Sequence, residues 1–588
     1  MDSLIERNSP DKLKICRYIP YVIITVLIPL AKLRIRVFHN EEMRKVLLNT
    51  QWFDDYYCLI KALLLYLSAI LLFIVFLFQK DKDKRFPNIL YLLVPYCVCL
   101  LLSICFSDYK ITALFGIVDM YEGGLTQLCY CCILLFSYYL VPGIEKMVVI
   151  LKMTLVAAVL VSIPGVLEFT GVISMEEPYA ISSAIGNTNY VGTYGAVLLT
   201  LAMMLVIIET NHARKIACLL LFYGAAFFLT AGSMSRAGYL AIVVTFPVFC
   251  VLLWRISKKQ VKWVIAFILY GLCIFLLMNS YSNGVLSDEI KSMNPFKPDS
   301  NPDKLIFKDI KLNGTSASIE TNRWFIRLEN NGGGFMFYNE KSEEIPFQMN
   351  DDVIKFLNDP YSDITGYVVE KPEVSWIMLK TEGKDIEFAL IDRKMKVVGY
   401  NGQVTDISPV ESFGFKGRES FASGRGYIWS RAIPLLKKAI FIGYGPDTFT
   451  FIFPQNDIVG KLNYGAVWVI IGKPHNWYLQ IALGSGVLSL ICIMIIIIWF
   501  IIRTFFNVGR YCKKTETALT GGFREEAQRK QIVALGILMS VIAYCTAGLF
   551  NDSTVAVSPL FWMLLGFGIR NTAGREEMDF SGNSSELR

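Results

Sequence analysis

Three side chains suited to an anionic substrate stand where apolar sequence meets polar sequence. His475 lies at the start of an apolar run, in the segment 473–480, and is one of only three histidines in the chain. Arg236 lies between two apolar runs, and Arg425 follows a Ser-Gly pair in a polar segment. An imidazole can act as a general base towards a hydroxyl, and the planar fork of arginine suits phosphate oxygens. The three residues therefore predict chemistry on an anionic, lipid-linked substrate.

Each of these residues also has a structural alternative. His475 fits a helix cap or an interface residue, Arg425 fits a contact with lipid headgroups, and Arg236 fits an arginine that extends to the interface. For Arg236 we favour function, because the outward-facing loops are otherwise poor in positive charge and a charge at membrane depth is costly. Together, Arg236 and Arg425 could hold a pyrophosphate.

The elements that must position these residues are membrane helices. Of the 588 residues, 54% are hydrophobic, which is too many for a soluble protein of this length. Runs of about 18 or more apolar residues predict helices that cross a bilayer. We count about twelve, at 18–33, 58–78, 88–106, 124–142, 147–167, 190–208, 216–232, 238–254, 263–281, 477–502, 532–550 and 559–570. The fold class predicted is mostly α, a polytopic membrane protein with an inserted β-rich domain.

The distribution of positive charge predicts the orientation. The net charge is +7, and three loops that share one side under this count are rich in lysine and arginine. They hold Lys80, Lys82, Lys84 and Arg85; then Arg255, Lys258, Lys259 and Lys262; then Arg503, Arg510, Lys513, Lys514, Arg524, Arg529 and Lys530. The positive-inside rule places these loops and both termini in the cytoplasm of a plasma-membrane protein, and this location argues against nucleic acid as a partner.

One outward loop disagrees with this orientation. Lys32, Arg34, Arg36, Arg44 and Lys45 lie in it, so the segment 33–57 is either an interfacial helix or a sign that the first helix is miscounted. No segment has the cleavage site of a signal peptide, and we expect the first helix to remain as an anchor.

The domain organisation follows from this count. Residues 1–281 form a bundle of about nine helices, 282–424 an extracytoplasmic β-rich insert, 425–476 an extracytoplasmic amphipathic catalytic loop, and 477–570 about three further helices. A disordered cytoplasmic tail, 571–588, follows. None of the fourteen cysteines lies between Ser282 and His475, and those in apolar helices read as small hydrophobic residues.

The insert has the pattern of a small sandwich or barrel. About six short strands are predicted, bounded by Gly, Asn and Asp, and 284–303 reads as a linker into them. The predicted strands are 324–328, 334–338, 367–369, 375–379, 386–390 and 396–400. Trp324, Trp376 and Tyr400 either stack on a glycan or fill the core, and we favour the core.

The sequence gives no support for a metal or another cofactor. The predicted external segments lack a His/Asp/Glu cluster with ligand spacing. Asp81-Lys82-Asp83 resembles the Asp-x-Asp of metal-dependent sugar transferases, but it lies in a lysine-rich cytoplasmic loop and reads as a solvated charge run. We expect a metal-independent reaction without a cofactor.

Five segments in order resemble the O-antigen ligase and Wzy-type polymerase superfamily of bacterial envelope proteins. The segment 121–125 (Tyr-Glu-Gly-Gly-Leu) resembles a loop of Gram-positive members, and 186–190 resembles the Gly-Asn-x-Asn turn. The segments 235–237, 423–446 and 475–486 resemble the Ser-Arg-Gly/Ala, Ser-Gly-Arg…Trp…Gly-x-Gly and His-Asn-x9-Gly motifs. Ser489 departs mildly from the threonine or small apolar residue of many ligases, and the β-rich insert is outside the usual core.

The resemblance implies a type C membrane glycosyltransferase. Such an enzyme moves a glycan from undecaprenyl diphosphate to an acceptor at the outer face of the plasma membrane, without a metal. By resemblance, Arg236 and Arg425 bind the diphosphate and His475 activates the acceptor hydroxyl. We expect four further residues to bind substrate: Asn187, Asn189, Asn476 and Arg431. The implied partners are the lipid-linked oligosaccharide, a glycan, cell-wall or lipid acceptor, and the bilayer.

Several functional alternatives remain open at this point. A ligase and a polymerase differ only in the acceptor, and the His-Asn motif favours the ligase. A non-catalytic transporter of lipid-linked glycans would not need His475, and the helix centres carry few charges apart from Lys61 near one helix start. A receptor that senses envelope glycans through the insert would keep its function in His475→Ala.

Overall fold

A computed structural model describes most of the chain. The described ranges are 17–44, 46, 52–79, 86–141, 143–293, 305–330, 332, 334–370, 374–407, 409–415, 418–465, 467–518 and 521–573. Within these ranges, only the backbone is described for 370, 374, 509–518, 521–524 and 573. The loop with Lys80, Lys82, Lys84 and Arg85, the Asp-x-Asp at 81–83, Lys45 and most of the predicted tail lie outside these ranges.

Nine helices among the described residues are long and apolar enough to cross a bilayer, and the chain is a multi-pass membrane protein. They are Cys58–Leu77, Asn88–Cys105, Ile144–Phe169, Thr188–Ile208, His212–Gly232, Arg236–Ile256, Lys258–Tyr281, Val487–Val508 and Glu525–Ala547. The last two are parts of longer helices, Val487–Ala518 and Gly521–Ala547. Three further predicted spans are also helical, but they are shorter: Ile19–Leu30, Gly124–Leu140 and Ser558–Ala573. The predicted count of twelve is therefore not confirmed.

The predicted span 477–502 is wrong as a single helix. It consists of two helices, Trp477–Ser485 and Val487–Ala518, separated at Gly486. Gly486 has φ +106°, and a Cβ there would lie 2.7 Å from the Phe441 carbonyl oxygen. Only glycine accommodates that backbone and that approach without strain.

Helix α1, defined here as Thr188–Ile208, forms the centre of the bundle. All of its residues from Val191 to Ile208 are buried inside the protein. It packs against Arg236–Ile256 and Gly521–Ala547. A Cβ on Gly192 would lie 2.3 Å from Ser235 Cβ, and one on Gly238 would lie 2.8 Å from the Gly192 carbonyl oxygen. These glycines allow two helix backbones to meet closely, and the contact brings the start of Arg236–Ile256 next to the start of α1.

The segment 33–57 is a β-ribbon in its described part. Strands Ile35–Phe38 (β1) and Trp52–Asp55 (β2) pair antiparallel, and one helical turn, Glu41–Arg44, lies between them. Asp54 forms ion pairs with Arg34 at 2.6 Å and Arg36 at 3.1 Å. The interfacial helix that we offered as one explanation of the basic residues is therefore absent from the described part of this segment.

The insert is β-rich as predicted, but it has eleven described strands in two antiparallel sheets rather than about six. The four-stranded sheet is Phe307–Asn313 (β3), Ser316–Thr321 (β4), Phe325–Asn330 (β5) and Phe335–Tyr338 (β6). The seven-stranded sheet is Phe347–Asn350 (β7), Val353–Phe356 (β8), Thr365–Glu370 (β9), Val374–Thr381 (β10), Lys384–Ile391 (β11), Lys394–Val398 (β12) and Val404–Thr405 (β13). Neighbours in the chain are neighbours in each sheet.

The segment predicted as a linker into the insert is partly helical. Val285–Ser292 forms a helix directly after the span Lys258–Tyr281, and Gly284 precedes it in the left-handed region at φ +91°. The rest of that prediction, 294–303, lies outside the described residues. The helix brings acidic and hydroxyl side chains to the end of the bundle from which the insert starts.

The two sheets share one core that reaches into the segment before the His-Asn motif. Ile319, Ile326, Phe337 and Phe388 are among its buried side chains, together with residues of the helix Ile458–Tyr464. Trp324 is 7% exposed and lies in this core, as we favoured. Trp376 is half-buried and alternates with the core-facing Ile377 on strand β10.

Candidate active site

His475 is positioned by a buried aspartate that lies 77 residues later in the chain. Its Nδ1 lies 3.0 Å from Asp552 Oδ2, and the backbone N–H of Asn476 donates to Asp552 Oδ1 at 3.2 Å. The Asp552 side chain is 1% exposed, while that of His475 is 42% exposed. The carboxylate thus accepts from Nδ1–H and leaves Nε2, which has no partner among the described residues, as the nitrogen that can take up a proton.

The charge of Asp552 is maintained by its neighbours. Burial alone would raise the pKa of this carboxyl group, but the charge and hydrogen bond of His475 lower it, and Lys473 and Arg425 add to that effect. The net pKa is below its ordinary value. Asp552 is therefore an ionised, buried group at neutral pH, which fixes the orientation of the imidazole ring.

Asn476 closes the first turn of the helix Trp477–Ser485. Its Oδ1 accepts from the Leu479 N–H at 2.9 Å, and its Nδ2 donates to the Leu549 carbonyl at 2.9 Å. Its geometry is that of a helix cap that also holds the loop 548–557. The predicted contact of Asn476 with substrate stays a prediction.

Arg425 is held in place by two backbone carbonyls. Its Nε donates to the Phe550 carbonyl at 2.9 Å and one terminal nitrogen donates to the Ala422 carbonyl at 2.9 Å. It belongs to the helix Phe421–Leu435, within which Ala422, Ser423 and Gly424 adopt left-handed backbone angles. A Cβ on Gly424 would lie 2.3 Å from the Tyr464 ring, so the Ser-Gly pair before Arg425 has a steric reason. The helix ends at Leu435, and a 3-10 turn, Leu436–Lys438, follows it.

Electrostatics show which charges surround Arg425. Burial lowers the pKa of Arg425, the Asp552 carboxylate raises it, and the positive charge of Arg236 lowers it further. Arg236, Arg425 and the His475–Asp552 pair therefore lie within electrostatic reach of one another. Two cations and a histidine from three distant parts of the chain form one cluster, which we call the charged site.

Arg236 starts a transmembrane helix and is paired with the helix that leads into the insert. Its Nε donates to Glu289 Oε1 at 2.8 Å, and its terminal nitrogen donates to Ser292 Oγ at 3.0 Å. Its side chain is 41% exposed. Ser235 caps this helix by accepting from the Gly238 N–H at 3.3 Å. The Arg236 guanidinium is thus accessible, but the Glu289 carboxylate already accepts from its Nε.

The Gly-Asn-x-Asn turn caps the central helix and ties it to the loop 548–557. Asn187 accepts from the Asn189 N–H at 2.9 Å, and the Asn189 carbonyl accepts from Asn551 Nδ2 at 3.1 Å. Buried Lys61 donates to the Ala184 and Ile185 carbonyls at 2.5 and 3.1 Å, which anchors the chain just before the turn. The geometry gives both asparagines a role in positioning, and their predicted binding of substrate stays a prediction.

Arg431 lies in a structural ion pair. Its Nε donates to Asp457 Oδ2 at 2.8 Å, and its guanidinium lies 4.8 Å from the centre of the Tyr427 ring. Asp457 also caps the helix Ile458–Tyr464 by accepting from the Gly460 N–H at 3.0 Å. Both side chains are largely buried, at 14% and 9% exposure. This pairing favours a structural role for Arg431, and substrate binding by this residue stays untested.

The Tyr-Glu-Gly-Gly-Leu loop contributes buried acids behind the charged site. Glu122 accepts from Tyr130 OH at 2.6 Å and Gln127 Nε2 at 3.0 Å, and burial raises its pKa to about 7. Asp447 accepts from the Ile117 and Glu122 N–H groups at 2.8 and 3.2 Å, and burial raises its pKa to about 6. These contacts join the loop to the turn at 443–446.

Sequence reasoning missed Asp552, which belongs to the charged site, and Lys473 and Tyr190, which lie beside it. Lys473 Nζ donates to Tyr190 OH at 2.8 Å. Asp552 had a usable signal, because Asn551-Asp552-Ser553 interrupts two apolar runs on the side that carries His475. No sequence signal pointed to Tyr190, since a tyrosine at the start of an apolar helix is common at a membrane interface.

Residues 387–494 match a family model described as O-antigen ligase. This segment of the chain is similar to the O-antigen ligase family. This match confirms the predicted resemblance to the O-antigen ligase and Wzy-type superfamily. The ligase match contains Arg425, His475 and Gly486, whereas Arg236 and Asp552 come from outside it.

The other comparisons add no further relatives. No curated protein and no solved structure matches the chain. The ligase segment begins inside strand β11 of the sandwich and ends inside the helix Val487–Ala518, so it spans the connection between the insert and the membrane.

Proposed function

We propose that this O-antigen-ligase-like protein is a glycosyltransferase that moves a glycan from undecaprenyl diphosphate to an acceptor hydroxyl. The observation that carries the proposal is the histidine held by a buried, ionised aspartate next to a half-buried arginine. A histidine oriented in this way is suited to remove a proton from a hydroxyl. Arginines fixed beside it are suited to hold the oxygens of a diphosphate.

The proposed reaction is a displacement at the anomeric carbon of the donor sugar. The acceptor oxygen forms the new glycosidic bond while its proton passes to His475 Nε2. The bond between the anomeric carbon and the diphosphate oxygen breaks, and its electron pair stays with the diphosphate. Arg236 and Arg425 stabilise the charge that develops on this leaving group. Asp552 stabilises the imidazolium that forms on His475.

The proposed location is the plasma membrane, with the charged site and the sandwich outside the cytoplasm. Arg255, Lys258, Lys259 and Lys262 cluster at the opposite end of the helix that starts at Arg236. By the positive-inside rule, that end belongs in the cytoplasm. The proposed setting is the synthesis of cell-envelope polysaccharide in bacteria, where such lipid-linked donors occur.

A ligase and a polymerase would differ in the acceptor that receives the glycan. The His-Asn-x9-Gly motif favours transfer to a foreign anchor, and the ligase match includes that motif. A polymerase would use the same donor and charged site with a second lipid-linked repeat as acceptor. The product, rather than the site, separates these two outcomes.

The decisive experiment uses the full chain in nanodiscs with a labelled undecaprenyl-diphosphate oligosaccharide. We expect the label to leave the lipid with the unchanged protein and to stay with His475→Ala. His212→Ala is the matched control, because His212 lies at the far end of the bundle, beside Trp263. One block on an added acceptor indicates a ligase, and a ladder of repeats indicates a polymerase. Equal transfer by His475→Ala would refute the proposal.

A further inference from the structure

Tyr190 presents a hydroxyl group whose proton is not used by the fold. It lies in the first turn of α1, directly after Asn189, and its oxygen is 2.8 Å from Lys473 Nζ. An ammonium group can only donate hydrogen bonds, so the tyrosine oxygen is the acceptor in this contact. None of the described residues accepts the proton of the Tyr190 hydroxyl. The group is therefore a donor without a partner.

The same hydroxyl lies among the residues of the charged site. Lys473 is two positions before His475 in the chain, and the Asn189 carbonyl next to Tyr190 accepts from Asn551, the neighbour of Asp552. Arg425 is also within electrostatic reach of Tyr190. Three separate segments thus place the tyrosine beside both the proposed base and the proposed diphosphate-binding arginine.

A tyrosine polarised by a lysine is a strong hydrogen-bond donor. The ammonium group of Lys473 draws electron density from the tyrosine oxygen and strengthens the O–H group as a donor. The side chain is half-buried, so the bond forms in a site of reduced polarity, where electrostatic interactions are stronger than in water. An acceptor that gains negative charge during a reaction would benefit most from such a donor.

We propose that Tyr190 is a further catalytic residue, whose hydroxyl donates a hydrogen bond to the departing diphosphate, with Lys473 as its positioning residue. This inference rests on the proposed function, because it needs a diphosphate donor in the charged site. The proton stays on Tyr190 throughout. The electrons of the broken carbon–oxygen bond move to the diphosphate, and the hydrogen bond strengthens as that charge grows.

The test compares Tyr190→Phe with Tyr194→Phe. Tyr194 lies one turn later on α1, and its buried hydroxyl has no partner among the described residues, so its removal should leave transfer unchanged. For Tyr190→Phe we expect kcat to fall about 10- to 100-fold, the effect of losing one hydrogen bond to a charged group. The KM for the acceptor should stay the same, and the inhibition constant of free undecaprenyl diphosphate should rise.

A second variant separates a catalytic role from a structural one. Lys473→Met should lower kcat in the same direction, and combining it with Tyr190→Phe should add little if the two residues act together. If Tyr190→Phe keeps the wild-type kcat, or if its loss follows a lower melting temperature, the inference is overturned. Transfer that persists in His475→Ala would instead overturn the proposed function itself, so the two failures are distinguishable.

Discussion

Asp552 is the residue through which the separate parts of the charged site meet. It accepts from His475 and from the Asn476 backbone, and its neighbours Phe550 and Asn551 contact Arg425 and Asn189. A single polar loop thus sets the position of His475, of Arg425 and of the turn that caps α1. The electrostatic role of the loop depends on Asp552 staying ionised although it is buried.

Replacing Asp552 by Asn should therefore impair transfer far more than stability. The amide would present either a neutral oxygen or an N–H group to Nδ1, so the imidazole would lose its fixed orientation and its compensating charge. We expect kcat to fall by about 100-fold or more, by analogy with aspartate-to-asparagine changes behind a catalytic histidine. The measurement is transfer in nanodiscs together with the thermal melt. Asp54→Asn, in the exposed ribbon, is the control, and transfer at the wild-type rate would contradict the role of Asp552.

For single residues, the sequence was sufficient to predict which side chains belong to the candidate site, but not which residues they pair with. Arg236, Arg425 and His475 were picked out because charge is unusual beside apolar runs, and the fold brings them within electrostatic reach. The Asp552 partnership was not predictable, since 77 residues separate it from His475 and the pairing depends on how helices pack. Arg431 was expected to bind substrate, and the fold pairs it with Asp457.

Among the elements, the helix Val285–Ser292 has the clearest consequence for substrate binding. It places Glu289 and Ser292 on Arg236, one of the two arginines proposed to hold the diphosphate. A carboxylate and a diphosphate compete for the same guanidinium, so the donor must displace Glu289 or share the fork with it.

Glu289→Gln should therefore tighten binding of the lipid-linked donor. A partly exposed ion pair contributes about 0.2–1 kcal/mol, so the KM for the donor should fall by no more than about five-fold. Asp288→Asn is a matched control, because Asp288 is on the same helix and pairs with Lys291. Both variants are measured with the labelled lipid over a range of concentrations. A higher KM in Glu289→Gln alone would mean that Glu289 orients Arg236 rather than competing for it.

The positions of the membrane helices were predictable from the sequence, but the break within the span 477–502 was not. Each predicted span falls on helical residues, and one of them, 477–502, falls on two helices. Long apolar runs leave little choice of structure in a bilayer. The break at Gly486 was not predicted, because one glycine inside an apolar run hardly lowers the mean hydropathy of that run. The reason for the break is tertiary: the Phe441 carbonyl approaches where a side chain would stand.

At the scale of the whole molecule, the sandwich is attached to the segment that leads to His475. Asn463 donates to the Phe307 carbonyl at 2.8 Å and accepts from the Phe307 N–H at 2.9 Å. Ile458, Leu462 and Val467 complete the sandwich core. Deleting the insert would expose these apolar side chains just upstream of His475, so loss of transfer after deletion would not by itself indicate glycan binding.

Asn463→Ala should loosen this attachment without removing the insert. Two hydrogen bonds to one backbone residue are lost, which we expect to cost about 1–3 kcal/mol. Limited proteolysis should then cut the insert faster, and transfer should fall in parallel. Asn350→Ala, on the exposed edge strand β7, should change neither. Faster proteolysis with wild-type transfer would show that the sandwich does not support the charged site.

The location of the insert was predictable, but its size was not. The strands that we missed include β3 and β7, in which charged or polar residues obscure the alternation of apolar ones, as Lys308, Asp309 and Lys311 do on β3. Those strands are recognised only by their register with neighbours, for example Ile310 opposite Ile319. Pairing across the sheet is a property of the folded molecule.

The loop at 548–557 also has a consequence for how the protein is made. It follows every other element of the charged site in the chain, and the order of synthesis is the order of the chain. While a ribosome is still delivering the last helical hairpin to the membrane, the histidine and both arginines have already been synthesised, but the loop that positions His475 and Arg425 has not yet been inserted. Under the proposed function, newly made molecules should therefore stay inactive until that hairpin is inserted.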